Sequence, residues 1–300
     1  MRAAAILGLG TSAKELRAFQ IAPGNPAIGM PRDASEADAI LIFGGDGTVH
    51  RHLSDLERLK LPVLVVPCGS GNDFARALGL KTVRDSVAAW RKFISSAGQN
   101  VREIDLGIIT EINTETNNGG AGAPARATAS TYFCCAGGVG LDGEVARRAN
   151  RLPRWLRGHG GYALALPFAL AGFRPQKLEI QIADDNGHFV SRQPLHALLA
   201  AFANTQVYGG GMRIAPNAEF DDGKLDLVIV GDIAKSKLAT LFPSVYFGRH
   251  LGIRGVESFK TKAVRIRSEH PLDVYADGEY VCRTPVEVGV QYRALRVIVG

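Results

Sequence analysis

The sequence predicts two domains in series: an α/β domain with a mostly parallel sheet over residues 1–98, then a β-rich, antiparallel domain over residues 99–300. Three observations predict this. Apolar runs of strand length alternate with helix-like segments up to residue 98. Two of those runs end in glycine-rich turns that open helices. After Asn100 the apolar period changes to two, with turn residues between the runs, which places the domain boundary at about 96–101.

In order, Ala3–Leu9 reads as a strand and the region near Ala13–Phe19 as a short helix. Ala39–Phe43 is a second strand with helix Val49–Arg58 after it, and Leu61–Pro67 is a third with helix Asp73–Leu78. Val83–Ser95 is a helix with Val87, Trp90 and Ile94 on its apolar face. Strand–helix alternation of this kind builds a parallel sheet covered by helices. Beyond the boundary, Ile104/Leu106/Ile108, Leu178/Ile180/Ile182, Val264/Ile266 and Val286/Val288/Val290 alternate as half-buried strands do. Asn113–Ser130 is poor in apolar residues and reads as a mobile hairpin loop.

The two glycine turns are the strongest chemical signal. Gly44-Gly45-Asp46-Gly47-Thr48 follows Ala39–Phe43, and Gly69-Ser70-Gly71-Asn72-Asp73 follows Val63–Pro67. A buried strand that runs through glycines into a helix leaves backbone N–H groups aimed at one point, a cradle for phosphate. A Cβ there would block the close approach of an anion. Thr48 and Ser70 add hydroxyl donors. Asp46 would repel bare phosphate, so its chemical role is to hold Mg²⁺ or ordered water. The ordinary alternative is that Asp46, Asn72 and Asp73 are helix N-caps. Neither glycine turn reads Gly-x-Gly-x-x-Gly, and the chain has no Gly-Lys-[Ser/Thr], which argues against a dinucleotide site at these turns and against a Walker loop.

Composition narrows the class. The chain is 46% hydrophobic and 21% charged, with a net charge of +6, which fits a globular protein with an anionic ligand or surface. The longest apolar stretch, Tyr162–Phe173, contains Pro167 and is shorter than the ~20 residues of a membrane span. The apolar run at the N-terminus is too short for a signal peptide, so a cytoplasmic location is expected. Cys68, Cys134, Cys135 and Cys282 lack metal or redox spacing and read as reduced structural thiols, with adjacent Cys134 and Cys135 on opposite faces of a strand.

Three further segments stand out. Tyr208-Gly209-Gly210-Gly211-Met212 is a flexible glycine run. Glu219–Asp226 sets carboxylates around a tight turn, as a hard cation or a solvated β-turn would require. Asp277-Gly278-Glu279 lies between two short apolar pairs and has the commonest hairpin-turn signature.

Gly-Gly-Asp-Gly-Thr, Gly-Ser-Gly-Asn-Asp-Phe-Ala-Arg, Gly-Gly-Gly-Met, Asp-Asp-Gly-Lys-Leu-Asp and Asp-Gly-Glu occur in this order between residue 39 and the C-terminus. Together they resemble the diacylglycerol kinase catalytic-domain family of bacterial lipid kinases, which is similar to sphingosine kinases and more distantly to NAD kinases. The resemblance implies an NAD kinase/diacylglycerol kinase-like fold, with an N-terminal nucleotide-binding domain, a sandwich-like second domain and an active site between them. It implies ATP and Mg²⁺ as cofactors and a lipid kinase acting on diacylglycerol or a related long-chain lipid. Thr11, Gly44, Gly45, Asp46, Gly47, Thr48, Ser70, Asn72 and Asp73 would serve ATP or its Mg²⁺. Glu279, with Asp46, would be catalytic, Glu279 as general base. Asp222, with the carbonyls of Glu219 and Lys224, would hold a structural Mg²⁺. The expected partners are a lipid substrate and, peripherally, an anionic membrane surface; a homodimer stays open, and no nucleic acid is expected. A kinase of a soluble acceptor and a nucleotide-binding regulatory protein are the alternatives.

The chain departs from the family pattern at two places. Gly8-Leu9-Gly10-Thr11-Ser12 stands where the family carries Asn-Pro-x-Ser-Gly, and the run from there to the first glycine turn is some twenty residues shorter. His50-Arg51 replaces Asn-Glu after Thr48, which makes Arg51 either a phosphate clamp or an impairment. Arg147–Arg157, with five arginines around Leu152, Trp155 and Leu156, is the expected membrane-docking segment; the alternative is a solvated basic face with Trp155 in the core.

Overall fold

A computed structural model describes residues 1–19, 27–112, 127–152 and 161–300. In the N-terminal domain, β1 (Ala3–Leu7), β2 (Ala27–Ile28), β3 (Ala39–Gly44) and β4 (Val63–Pro67) form a parallel sheet in the order β4-β3-β1-β2. β3 and β4 are continuous apolar runs because helices cover both faces: α1 (Asp46–Leu59), α2 (Asp73–Ala77) and α3 (Val83–Ser95). Between β1 and β3 the described residues hold one 3₁₀ turn, Glu15–Phe19, and the two-residue β2. α3 has the expected bounds and a Thr82/Asp85 capping box. Its buried face is Ser86, Ala89, Trp90 and Phe93, whereas Ile94 is 48% exposed. The buried stripe is therefore set about one position earlier than the apolar spacing predicts.

The second domain is built from β5 (Val101–Ile112), β6 (Ala127–Phe133), β7 (Ala136–Gly140), β8 (Gln176–Ala183), β9 (Phe189–Ser191), β10 (Leu195–Ala203), β11 (Leu225–Gly231), β12 (Val256–Thr261), β13 (Ala263–Ser268), β14 (Asp273–Ala276), β15 (Glu279–Arg283) and β16 (Val286–Ile298). Its pairings are antiparallel. The expected loop over 113–130 lies mostly outside the described residues, but 127–130 belong to β6. Cys134 and Cys135 fall in a bend between β6 and β7 rather than within a strand. Their sulfurs are therefore 4.0 Å apart instead of on opposite faces.

On β11, Leu227 and Ile229 face the interior core, while Val228 and Val230 face a second apolar layer. That layer lies under α6 (Lys235–Tyr246) and the Tyr208–Met212 turn. Two more helices, α4 (Leu141–Arg151) and α5 (Gly161–Gly172), pack on each other through Val145, Ala149, Ala165 and Ala169.

The two domains share one strand. β16 pairs with β13 and the far half of β5, is interrupted at Gln291–Leu295, and re-pairs with Ile104–Val101 before it meets β4 at Val297↔Val63. Arg293, at φ 48°, makes this break, and its N–H donates to buried Asp105 at 2.7 Å. Ala294, Leu295, Val297 and Ile298 thereby complete the core of the first domain, and Asn100 ties α3 to the same end through Ala89 and Val299 carbonyls. Leu295→Ala is expected to lower unfolding free energy in urea by about 2–5 kcal/mol, the usual loss for a buried Leu→Ala change; a loss below about 1 kcal/mol contradicts this placement.

Candidate functional site

The two glycine turns meet back to back. An added Cβ on Gly45 would stand 2.9 Å from Gly69 Cα, so neither turn accepts a side chain at its point of contact. α1 begins at Asp46 with Gly45 as an uncharged N-cap. Asp46 does not cap its own helix: its carboxylate accepts from Asp73 N and Phe74 N, both at 3.0 Å, and so caps α2 from the neighbouring turn. Asn72 sits at φ 56° and closes the second turn on itself, accepting from Gly69 N at 2.9 Å and donating to Gly69 O at 2.7 Å. Asp73 turns outward to Arg76 at 2.7 Å and accepts Gly210 N at 2.7 Å, which joins the second glycine turn to Tyr208–Met212. That run is a closed turn, with reciprocal Tyr208 and Met212 backbone bonds at 3.0 Å.

Opposite these turns is the β14–β15 hairpin. Asp277, left-handed at φ 50°, has a side chain with 0% exposure. It accepts from Cys134 N at 2.9 Å, Cys135 N at 2.8 Å and His50 Nδ1 at 3.0 Å. Asn150 of α4 donates to Gly278 O at 2.8 Å. Held this way, the hairpin presses Glu279 against the first turn: a Cβ on Gly47 would meet Glu279 Oε1 at 2.7 Å. The result is a cleft of about 450 Å³ lined by both glycine turns, the Tyr208–Gly210 segment and Ala276–Glu279.

Electrostatics in the cleft follow from burial. Desolvation first, and then the charge of Asp73, raise the Asp46 pKa from 3.8 to about 6. Burial also raises Asp73, against the pull of Gly210 N–H and Arg76. For His50 burial acts downward, but the hydrogen bond and charge of Asp277 outweigh it and the pKa is raised. The Cys134 hydrogen bond lowers Cys135, but burial overrides it and holds that thiol at about 12, so it stays protonated. All four cysteines are free.

Of the residues singled out from sequence, Gly44, Gly45, Asp46, Gly47, Thr48, Ser70, Asp73 and Glu279 line this cleft. Asn72 braces it from behind. Thr11 does not line it: its hydroxyl donates to Gly8 O at 2.7 Å and closes the turn after β1, where Leu9 reaches the cleft instead. Arg51 also lines the cleft, with Nε donating to Gly47 O at 2.9 Å. The acidic turn is elsewhere. Asp221 pairs with Arg102, and Gly223 N donates to Asp105 at 2.7 Å. Asp222 accepts Lys224 N at 3.0 Å and Lys260 Nζ at 2.5 Å, while Glu219 is exposed. Lys260 also lies 3.8 Å from Asp226, so the turn where a structural Mg²⁺ was expected carries a cationic side chain of its own.

Sequence reading gave no site role to three cleft residues, Asp277, Asp142 and Tyr208, or to His50, which bonds Asp277. Asp142 is buried in the first turn of α4 and accepts the Tyr208 hydroxyl at 2.8 Å. Burial and Asp142 together hold that phenol far above its ordinary pKa. The pair also lines a second cavity, of about 70 Å³, between α5 and α6.

Comparisons with known proteins match this geometry. The profile of the diacylglycerol kinase catalytic domain matches residues 6–109, and that of the YegS C-terminal NAD kinase β-sandwich-like domain matches residues 136–299. The chain belongs to the diacylglycerol kinase family. It is 32% identical to a diacylglycerol kinase of Mycobacterium tuberculosis over 271 residues, 88% of this chain and 78% of that one. With a Bacillus subtilis diacylglycerol kinase it is 26% identical over 265 residues, 88% and 78% of the two chains. A crystal structure of a diacylglycerol kinase from Bacillus anthracis superposes with a TM-score of 0.64 at 20% identity, covering 100% of this chain and 97% of that one. That likeness is one of fold. Within the kinase fold, the glycine turns lie in the first matched domain and the Asp277–Glu279 hairpin in the second.

The Asp46 pKa has a measurable consequence. A folded pKa of about 6 against 3.8 unfolded means that Asp46 favours folding below pH ~4 and loses this contribution as pH rises through ~6. Asp46→Asn removes that dependence. The stability of the variant relative to wild type is expected to rise by up to about 3 kcal/mol between pH ~4 and ~7 in urea titrations. Parallel pH profiles contradict the raised pKa.

Proposed function

We propose that the cleft transfers the γ-phosphoryl group of ATP to a hydroxyl of diacylglycerol or a related long-chain lipid. The observation that carries this is the double position of Asp142 and Tyr208, which line both the polar cleft and the apolar cavity. The cavity is otherwise lined by Leu, Val, Ile, Met and Phe side chains and His250. A hydroxyl held at the junction therefore has phosphate-binding turns on one side and a hydrocarbon environment on the other. A nucleotide acceptor, with its own charges, would meet only Asp142, Tyr208 and His250 as polar groups among the lining residues of that cavity. The names of the relatives support the same acceptor class.

In this reading the N–H groups of the two glycine turns receive the phosphates. Arg51, fixed to Gly47 O, adds a cation at the same wall and acts as a clamp. Asp46 and Asp73 would hold Mg²⁺: two buried carboxylates that raise each other's cost of ionisation are what a divalent cation relieves. Mg²⁺, when bound, offsets the charge that develops on the phosphates. Glu279 accepts the proton of the lipid hydroxyl as its oxygen attacks phosphorus. His50 and Asp277 keep the Glu279 hairpin against the first turn. No second Mg²⁺ belongs to this reading at Asp222, which already holds Lys260.

The test is label transfer from γ-labelled ATP in Mg²⁺, with a total lipid extract and with NAD in separate reactions. Label in the organic phase is expected; label in NADP alone, or in neither product, contradicts the proposal. Glu279→Gln should lower kcat by about 10²–10⁴-fold, with ATP Kd within a few-fold of wild type. A normal kcat would return Glu279 to a turn residue.

A further inference from the structure

α5 carries no charged residue, and its described buried side chains lie on one side. Ala165 and Ala169 are buried against α4, and Leu166 and Leu170 line the apolar cavity. On the opposite side Leu164 is 47% exposed and Phe168 70% exposed, with Pro167 and Ala171 between and beside them. α6 lines the same cavity through Leu238, Phe242 and Val245, and it is followed at once by Phe247, 71% exposed. Both helices that wall the cavity thus carry, along their length or directly after it, large apolar side chains in water. Single exposed apolar residues are ordinary, but three on the two walls of one apolar cavity mark a contact surface.

The charges beside these helices select the partner. Arg174 and Lys177 follow α5, and Arg249 and Arg254 follow α6; all four are exposed and make no ion pair with a described residue. A face with an apolar centre and a cationic margin complements an anionic bilayer, where aromatic and aliphatic side chains enter the headgroup boundary and arginine and lysine meet lipid phosphates. We propose that the exposed face of α5, with Phe247, docks this protein on an anionic membrane and opens the α5–α6 cavity toward the bilayer. A lipid would then pass from the membrane to the Asp142–Tyr208 junction without crossing water. This inference rests on the lipid-acceptor reading, and it moves the expected contact away from Arg147–Arg157. In that segment Arg147 and Arg148 are both paired with Glu144, and residues 153–157 lie outside the described residues.

The test is the Leu164→Gln/Phe168→Gln variant, whose changes fall on exposed positions. Vesicles of phosphatidylcholine with about 30% phosphatidylglycerol are sedimented with each protein at low and high salt, and unfolding in urea and ATP Kd are measured on the same preparations. Wild type is expected to bind these vesicles, less so in salt, and the variant to bind at least about tenfold more weakly, with unfolding midpoint and ATP Kd unchanged. The variant should still phosphorylate diacylglycerol dispersed in neutral detergent micelles, where no docking is required. Equal vesicle binding by wild type and variant overturns the proposal. So does a wild-type dimer in gel filtration that the variant dissociates without any change in vesicle binding, because the face would then be a self-association surface. Failure of wild type to phosphorylate any lipid while this vesicle result holds contradicts the kinase reading alone and leaves the docking surface standing.

Discussion

The Asp277 carboxylate is fully buried and binds three different parts of the chain: His50 on α1, and the backbone N–H groups of Cys134 and Cys135 at the bend between β6 and β7. Each donor to an ionised carboxylate contributes roughly 1.5–3 kcal/mol, and a buried carboxylate stripped of them would be strongly unfavourable. The hairpin therefore cannot leave the first glycine turn without abandoning this charge. Glu279, two residues on from Asp277, inherits its place on Gly47 from that constraint. The left-handed backbone of Asp277 and the Asn150 bond to Gly278 O narrow the hairpin's freedom further.

A second constraint is the concentration of buried acids. Asp46, Asp73 and Asp277 lie close enough that the charges of Asp73 and Asp277 both act on Asp46. Backbone N–H groups, Arg76 and His50 compensate part of that charge. Burial makes these carboxylates costly to ionise, and a concentration of such groups in one cleft is a feature of active sites rather than of ordinary cores. The contrast within the chain is the Asp222 turn, where Lys260 sits 2.5 Å from Asp222 and 3.8 Å from Asp226 and offsets part of the carboxylate charge internally.

Much of the fold was legible in local pattern. Strands ending in glycines, α3 and the period-two strands β8, β13 and β16 follow from spacing, because one face or one helix stripe is buried. β10 and β11 were not legible: core lies on both sides, so Leu195–Ala203 and Leu225–Gly231 carry no alternation. The same is true of the site. Gly45, Asp46 and Ser70 are marked by short-range chemistry, whereas Asp277 looked like a hairpin-turn residue and His50 like a departure from pattern. Their relation spans 227 positions, and no local rule encodes it. Asp142 and Tyr208, 66 positions apart, were missed for the same reason. The pairing of Asp222 with Lys260, 38 residues away, is likewise beyond the reach of local pattern.

The central claim is that Asp277 acts on the reaction through Glu279, and a double-mutant cycle on kcat tests it most directly. Asp277→Asn, Glu279→Gln and the double variant are compared by single-turnover phosphoryl transfer, each corrected for its folded fraction. If the clamp works only by holding Glu279 in place, the double variant is as slow as Glu279→Gln and no slower, within about threefold, because a base already lost cannot be misplaced. Losses that multiply across the two positions would contradict the account.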